Sequence, residues 1–173
     1  MKESTMQELC YLKNNKRIQG SESYITHVDF PVEQGSADMR LYDIFPGIQL
    51  MVTDFVTDTC YRDCVKQDVI SINHCSRGRF ECEFDNRNYL YMGEGDIVIN
   101  SMARLSVGSS FPLNYYFGST IILFPQICKD VQELKAFGID TERLFEKYSL
   151  GERSPVFRRN EEVEHAKSIQ NGV

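Results

Sequence analysis

Histidine and cysteine are the residues most able to bind metals or act as nucleophiles, and this chain has three histidines and six cysteines. The histidines are His27, His74 and His165, and no two of them form a His-x-His pair. The cysteines are Cys10, Cys60, Cys64, Cys75, Cys82 and Cys128. They contain no Cys-x-x-Cys pair of the kind found in structural zinc sites. We therefore expect no metal site and no cofactor, and we interpret the cysteines as reduced thiols.

Motifs typical of catalysis are also missing from the sequence. It contains no Gly-x-Ser-x-Gly elbow, no phosphate-binding loop and no dinucleotide-binding fingerprint. Gly93 and Gly95 stand between two predicted strands, which indicates a hairpin turn and not a phosphate cradle. Glu81 and Glu83 alternate on one strand, where paired carboxylates are more often solvated than catalytic. We therefore expect a protein that is not an enzyme and has no catalytic residues.

The composition describes an ordinary globular chain with an acidic balance. It has 173 residues, of which 42% are hydrophobic, and a net charge of −6 from 19 basic and 25 acidic residues. Affinity for nucleic acids depends mainly on Lys and Arg that neutralise phosphates, so this chain is a poor DNA binder by itself. It has no apolar run long enough to span a membrane and no signal-peptide core. We expect one cytoplasmic domain with an appended helical segment.

The elements that would position a site are short β-strands, densest between Val69 and Asn100. Four runs rich in Ile, Val, Phe or Tyr alternate with three turn clusters rich in Gly, Asn or Asp. The clusters are Ser76–Arg79, Asp85–Asn88 and Gly93–Asp96. Strands so closely spaced pair antiparallel through hairpins, because a parallel crossover needs about a dozen residues or more. This region predicts a β-meander that closes into a small barrel or sandwich.

Further elements are predicted on both sides of the meander. They are a helix at Met6–Lys13, an edge strand at Tyr24–Val32 interrupted by Pro31, strands at Met39–Phe45 and Ile48–Phe55, a loop over residues 57–68, and a last strand region at Tyr115–Phe124. Pro46 and Gly47 have the chemistry of a type II turn between two of these strands.

After Pro125 the apolar spacing changes to the 3.6-residue period of helices. The first stripe is Ile127, Val131, Leu134 and Phe137, and the second is Leu144, Phe145 and Tyr148. A third helix is predicted to begin near Asn160. Strands first and helices last predict an α+β fold that is mostly β: an antiparallel barrel with two or three C-terminal helices.

Four segments resemble, in the same order, the sensor domains of AraC-type transcriptional regulators. They are Tyr42–Phe55, Ile72–Phe84, Tyr89–Ile99 and Phe111–Ile122, and the resemblance covers about residues 35–150. The segment from Cys75 to Glu81 is similar to a Cys-x-x-Gly-Arg-x-Glu signature of that group. The resemblance implies a cupin-like effector-binding barrel, helices that dimerise, and a C-terminal domain of two helix-turn-helix motifs. We expect that basic DNA-binding part to be missing from this acidic chain.

The expected organisation is a helix and loop over residues 1–23, the effector barrel over 24–125, dimerisation helices over 126–150 and a linker over 151–173. The expected partners are a small-molecule effector, a second copy of the chain bound through the helices, and DNA only through the missing domain. No membrane partner is expected. Two alternatives remain open, a cupin-type isomerase or dioxygenase and a ligand-free structural dimer module.

Strand alternation and helical spacing give two sets of candidate site residues. The candidates for effector binding are His74, Arg79, Phe80, Cys82, Tyr89 and Tyr91. The apolar face of the β-type run Phe80–Phe84 is expected to point inward, and His74 would point inward together with Ile70 and Ile72. Tyr89 and Tyr91 share a face, and an inward tyrosine would need a hydroxyl partner such as a ligand. The candidates for dimerisation are Val131, Leu134, Phe137, Leu144 and Tyr148. Each set has a structural alternative. The aromatic residues would equally serve as packing, Arg79 is better suited to an ion pair near Gly78, and the helix stripe would equally pack on its own barrel.

Overall fold

The computed structural model describes residues 16–19, 25–29, 32, 34–59, 69–84, 87–101, 106–128, 131–136, 138–148 and 156–158. The described strands are β1 (Lys16–Gln19), β2 (Ile25–Asp29), β3 (Ser36–Phe45), β4 (Ile48–Val56), β5 (Ile70–Phe84), β6 (Tyr89–Gly93), β7 (Ile97–Ser101), β8 (Ser106–Ser110), β9 (Tyr116–Leu123) and β10 (Val156–Phe157). The described helices are α1 (Pro125–Cys128), α2 (Gln132–Ala136) and α3 (Thr141–Tyr148). The described strands pair antiparallel throughout.

The hairpin of β3 and β4 forms as predicted, because its turn chemistry is local. Phe45 and Ile48 are register partners across a two-residue turn made by Pro46 and Gly47. Gly47 has a φ of 75°, the left-handed conformation that a type II turn requires at its third position. The predicted strands at the two ends of this turn are therefore confirmed.

The centre of the fold is one long strand, β5. It pairs with β6 on either side of the predicted turn cluster Asp85–Asn88, whereas the other two predicted clusters do not close hairpins. β5 continues through Ser76–Arg79, where we expected a turn, and contains a bulge between Cys75 and Arg77. Gly78 absorbs the irregularity with a φ of 87°, and a Cβ there would collide with the backbone oxygen of Tyr115. A bulge bends and twists a strand without ending it, so the turn residues serve the bend.

The segment from β6 to β7 is likewise a single bent partner of β5. β6 pairs with the C-terminal half of β5 and β7 pairs with its N-terminal half. Between them, Cys75 exchanges backbone hydrogen bonds with Asp96 (N···O 3.0 Å) and Gly95 (O···N 2.8 Å). The predicted turn at Gly93–Asp96 forms, since the Asp96 N–H donates to the Gly93 carbonyl at 3.0 Å. It does not close a hairpin, because β6 and β7 both pair with β5 and not with each other. On the other side of β5, β8 and β9 follow one another in the same way.

The sheet closes on itself around one core. Its strand order is β1-β2-β3-β4-β9-β5-β7-β10, with β6 and β8 attached to β5. Val28 of β2 and Val98 of β7 lie near opposite ends of this order, yet both belong to the same buried cluster. Only a curled sheet brings them together, so the predicted fold class is confirmed: a mostly antiparallel, cupin-like β-barrel followed by short C-terminal helices.

The margins of the barrel differ from the prediction. β2 is not an edge strand, because β1 pairs with its outer side, inside the segment expected to be helix and loop. β10 lies inside the expected linker and pairs with β7. Thr59, in the expected loop, forms an isolated bridge with Ser110, and residues 60–68 lie outside the described residues. The predicted helices at Met6–Lys13 and after Asn160 also lie outside them.

The first predicted helical stripe is interrupted. α1 ends at Cys128 and α2 begins at Gln132, so the continuous helix expected from Ile127 onwards is wrong. Val131 lies outside both helices, and its N–H donates to the Cys128 carbonyl at 3.1 Å. Within α1 the buried residue is Cys128, whereas Ile127, the first residue of the predicted stripe, is exposed.

The helices pack on the outside of the barrel wall. Cys128 and Val131 share a second buried cluster with Ile48, Ile70 and Leu123 of the strands. Residues of α2 and α3 pack against the same cluster. The wall formed by β4, β9 and β5 therefore has apolar contacts on its outer face as well as its inner face.

Candidate functional site

A chain of polar side chains lies on the inner face of the barrel wall. Asn73 of β5 is its centre, since its Oδ1 accepts from Thr120 Oγ1 at 3.0 Å and its Nδ2 donates to Ser71 Oγ at 3.1 Å. Ser71 Oγ continues the chain to the backbone oxygen of Asn100 at 3.3 Å. These residues share the face of Cys75, which belongs to the main core. They form the polar row of the barrel interior.

The polar row follows from an inversion of the usual strand pattern. In β5, Ile70 and Ile72 point to the outer face, where they pack with the helices, so the alternate residues Ser71 and Asn73 face inward. Strand alternation usually places polar residues toward water and apolar residues toward the core. Here helices cover the outer face, so sequence reasoning missed the row although the alternation of residues 70–73 was visible.

Gln49 of β4 extends the polar interior beyond β9, the strand that separates β4 from β5. It is only 6% exposed and lies on the inner face of β4, in the register of Ile122 and Asp43. Its Nε2 donates to Asp43 Oδ1 at 2.7 Å, which fixes the orientation of the amide. The amide oxygen Oε1 is buried and has no hydrogen-bond partner among the described residues. Because a buried unpaired acceptor is costly, this atom is a candidate contact for a ligand.

The opposite end of the interior is an aromatic core. Phe111 is fully buried and lies 5.2 Å from Tyr116, 5.5 Å from Phe55 and 5.8 Å from Phe80, measured between ring centroids. Phe80 and Cys82 face this interior as predicted. Their environment is tight packing, which agrees with the structural alternative, and their role in ligand binding stays a prediction.

His74 does not face the interior. It shares the face of Ile72, as expected, but that face is the outer one, so the inward orientation considered from the sequence is wrong. The side chain is half-buried, and its Nδ1 lies 3.3 Å from Ser76 Oγ. Gly118 approaches its backbone closely, since a Cβ there would lie 2.7 Å from the His74 carbonyl oxygen.

The two candidate tyrosines also lie on the outside. Tyr89 and Tyr91 are 56% and 43% exposed, whereas Leu90 and Met92 between and after them are buried. The inward orientation that a ligand contact would require is therefore absent at both tyrosines, because the apolar alternate residues of β6 take the inner face. Arg79 is exposed as well and pairs with Glu81 (Nε···Oε1 2.8 Å), the ion pair favoured as its structural role.

The described cysteines have the properties of core residues. Cys75 and Cys128 are fully buried, and Cys82 is nearly so. Burial, followed by the nearby carboxylates of Asp96 and Glu94, raises the pKa of the Cys75 thiol to about 11. Burial raises the pKa of the Cys128 thiol to about 11 as well. Neither thiol carries appreciable thiolate near neutral pH, so neither is suited to be a nucleophile.

Metal ligands do not come together in the part of the chain that the structure describes. No group of three or more His, Cys, Asp or Glu side chains there is arranged to hold a metal ion. His165 and three of the cysteines lie outside the described residues. Within the described residues no helix is long and apolar enough to cross a membrane.

The candidate dimerisation residues contact the chain's own barrel. Val131 is buried in the outer cluster, and Leu134, Leu144 and Tyr148 pack against it while remaining partly exposed. This is the alternative that helical spacing left open. Phe137 lies outside the described residues. Dimerisation through the remaining exposed area of these residues stays a prediction.

Comparisons with known proteins yield similarity of structure only. No protein-family model matches the sequence, and a search of curated proteins finds no significant match. Similar solved structures include an HTH_3 family transcriptional regulator from Vibrio cholerae, at 15% identity and a TM-score of 0.38, which covers 50% of this chain and 51% of that one. This chain therefore spans about half the length of that regulator.

In two further similar structures the matched region covers most of the other protein. One is KdgF from Halomonas sp., at 14% identity and a TM-score of 0.44, covering 55% of this chain and 84% of that one. The other is a cupin superfamily protein from Desulfitobacterium hafniense, at 8% identity and a TM-score of 0.44, with the same coverage. The description of the fold rests on the strand pairings given above.

Proposed function

We propose that this chain is the effector-sensing domain of an AraC-type transcriptional regulator, is not an enzyme, and binds a small molecule at the polar row of its barrel. The observation that supports this proposal is the unpaired, buried Oε1 of Gln49 beside a barrel wall whose inner face carries Ser71, Asn73 and Thr120. A barrel needed only as a packed core has no use for such a group, because an apolar residue of similar size would be more stable.

The chemistry of the interior favours an uncharged ligand with hydrogen-bond donors. Gln49 Oε1 needs a hydrogen-bond donor. The Thr120 hydroxyl, which donates its hydrogen to Asn73, can also accept a hydrogen bond from a ligand. The carboxylate that contacts this set, Asp43, is exposed and already accepts the Gln49 amide. Burying an unpaired charge is much more costly than burying a neutral polar group, so the ligand is expected to carry no net charge.

The wall that carries the polar row also contacts the helices. Ser71 and Asn73 face inward from β5, and Ile70 and Ile72 face outward against the cluster on which α2 and α3 pack. A ligand that binds one arrangement of β5 and the helices more tightly than another would shift the equilibrium between the two arrangements. The size of the shift is limited to the difference between its two binding free energies. We propose that the exposed parts of Leu134, Leu144 and Tyr148 then contact a second copy of the chain.

A binding screen with matched probes tests the proposal. Uncharged polyols and nucleosides, for example glucose, are compared with charged counterparts such as gluconate in thermal-shift and calorimetric titrations of the purified chain. We expect an uncharged member to raise the melting temperature, and Gln49→Met to abolish that increase. The control is Gln34→Met, since Gln34 is exposed and remote from the polar row. Native mass spectrometry of the chain as purified adds a search for a retained ligand.

The same experiment distinguishes the sensor from a second candidate function, a ligand-free structural dimer module. The hydrogen bonds among Ser71, Asn73 and Thr120 satisfy much of the row internally, which is the observation that favours that alternative. A folded dimer that retains no small molecule, and gives the same titration for wild type and Gln49→Met, would replace the sensor proposal by the structural module. A folded monomer with Leu134→Asp would support dimerisation through the helices, and an unfolded protein would contradict it.

A further inference from the structure

The outer face of β5 and β6 carries two equivalent cross-strand pairs of tyrosine and glutamate. Glu81 is the register partner of Tyr91, and Glu83 is the register partner of Tyr89. The two tyrosine rings are nearly parallel, with an interplanar angle of 17° and centroids 6.2 Å apart. Both pairs lie on the surface, on the other side of the sheet from the barrel interior.

The first pair has its own cation. The Arg79 guanidinium lies 5.9 Å from the centroid of the Tyr91 ring and its Nε contacts Glu81 Oε1 at 2.8 Å. A guanidinium is attracted by the face of an aromatic ring and forms its strongest hydrogen bonds with carboxylates. At the pair of Tyr91 and Glu81 the molecule therefore shows which group a tyrosine and a glutamate in this arrangement bind: a guanidinium.

The second pair has the same components without the cation. The Tyr89 hydroxyl donates to Glu83 Oε1 at 2.9 Å, and no basic side chain of the described residues forms an ion pair with Glu83. Tyr89 is also the more exposed of the two tyrosines. The ring face and the remaining acceptor capacity of the carboxylate are thus open to a guanidinium from outside.

The edge of β6 offers a way for a partner to place a guanidinium at this pair. Among the described strands β6 pairs only with β5, so its other edge offers backbone N–H and C=O groups to an added strand. In β-strand addition the backbone supplies affinity and alternate side chains supply specificity. We propose that an extended partner peptide pairs with β6 and places one arginine over Tyr89 and against Glu83.

Synthetic peptides test this proposal directly. The probe is a fluorescein-labelled peptide with one arginine at the centre of a threonine- and valine-rich sequence. The control peptide has citrulline in place of arginine, which preserves the shape of the side chain and removes its charge. Fluorescence anisotropy measures both affinities, and amide chemical-shift changes locate the binding site on the full chain. We expect binding at β6 that weakens about two- to five-fold with citrulline, the range of an exposed cation–π contact.

Variants of the protein complete the test. Tyr89→Leu preserves an apolar strand residue without the aromatic face, and Glu83→Gln preserves the shape without the charge; each is expected to weaken binding by a similar factor. Glu142→Gln, at an exposed glutamate of α3, is the matched control and should leave the affinity unchanged. Circular dichroism confirms that the variants fold.

Several outcomes would overturn the proposal. Undetectable binding, equal affinity for the arginine and citrulline peptides, or equal affinity of Tyr89→Leu and wild type would each show that the second pair does not recognise a guanidinium. If Tyr89→Leu instead converts a dimer into a monomer in light scattering, a second copy of the chain occupies this edge and the peptide proposal is wrong.

Discussion

Replacing Gln49 by methionine is expected to stabilise the ligand-free protein. The substitution preserves an unbranched side chain of similar length at a position that is 6% exposed. Removing the buried, unpaired Oε1 relieves about 1–3 kcal/mol. The sulfur and methyl group that replace the amide contribute about 1–2 kcal/mol, since the two preceding methylenes are common to both side chains. The lost hydrogen bond to the Asp43 carboxylate costs about 1.5–3 kcal/mol. Central values leave a net gain of about 1 kcal/mol in the free energy of unfolding.

That gain corresponds to a measurable shift in thermal unfolding. For a domain of this length about 1 kcal/mol moves the melting temperature by about 2–4 °C, so Gln49→Met should melt higher by about that amount. Differential scanning calorimetry of ligand-free protein measures the shift, and urea unfolding checks the free energy. Gln34→Met, the exposed control, should stay within about 0.5 kcal/mol of wild type. A lower melting temperature for Gln49→Met would refute the reasoning, because it would mean that Oε1 has a partner in solution.

Three further predictions concern β9, the buried thiol of α1 and the contacts of Asp96 beside β7. Gly118→Ala should lose about 1–3 kcal/mol in urea unfolding, since its Cβ would lie 2.6 Å from a tyrosine hydroxyl, whereas Gly108→Ala, with open space around it, should change little. The Cys128 thiol has a pKa of about 11 in the folded state against about 9 in the unfolded state. Its contribution to stability is therefore complete below pH 9 and is lost as the pH rises toward 11. The melting temperature of Cys128→Ala should decline less steeply than that of wild type between pH 9 and pH 11. Asp96→Asn should lose about 1–2 kcal/mol, because the buried carboxylate accepts the Gly93 N–H at 2.9 Å and an exposed Arg158 guanidinium at 3.1 Å. Amide hydrogen exchange at residues 156–158 should be faster than in wild type in both Asp96→Asn and Arg158→Gln. Exchange at Gly93 should be faster only in Asp96→Asn. Equal exchange in wild type and both variants would show that Asp96 does not hold residues 156–158 on β7.

The sequence predicts the parts of this fold that depend on local chemistry. The turn at Pro46 and Gly47 is specified by its own two residues, so the hairpin of β3 and β4 was predicted correctly. Gly78 and Gly95 belong to clusters with equally strong turn chemistry, yet neither cluster closes the predicted hairpin. Both glycines lie where β5 and its neighbour bend together, and only the pairing of the two strands distinguishes such a bend from a hairpin.

The candidate site was harder to predict, because the direction of a strand face depends on what covers it. Asn73 faces inward only because helices distant in sequence cover Ile72 on the outer side. The tyrosines of β6 looked like ligand contacts, yet Leu90 and Met92 compete for the inner face and are buried there. Alternation identified the two faces of each strand correctly, and the packing partners decided which face became the interior.

The pairing of β4 with β9 has a consequence for how the chain acquires its structure. Ile48 and Leu123 are register partners, and among the strands that the structure describes β1 to β4 join the rest of the sheet only through β9, which is synthesised much later. Until that segment emerges, the inner edge of β4 is an open template for pairing with other chains. Because non-local pairing slows folding, we expect refolding on a scale of about milliseconds to seconds, with the yield falling as protein concentration rises.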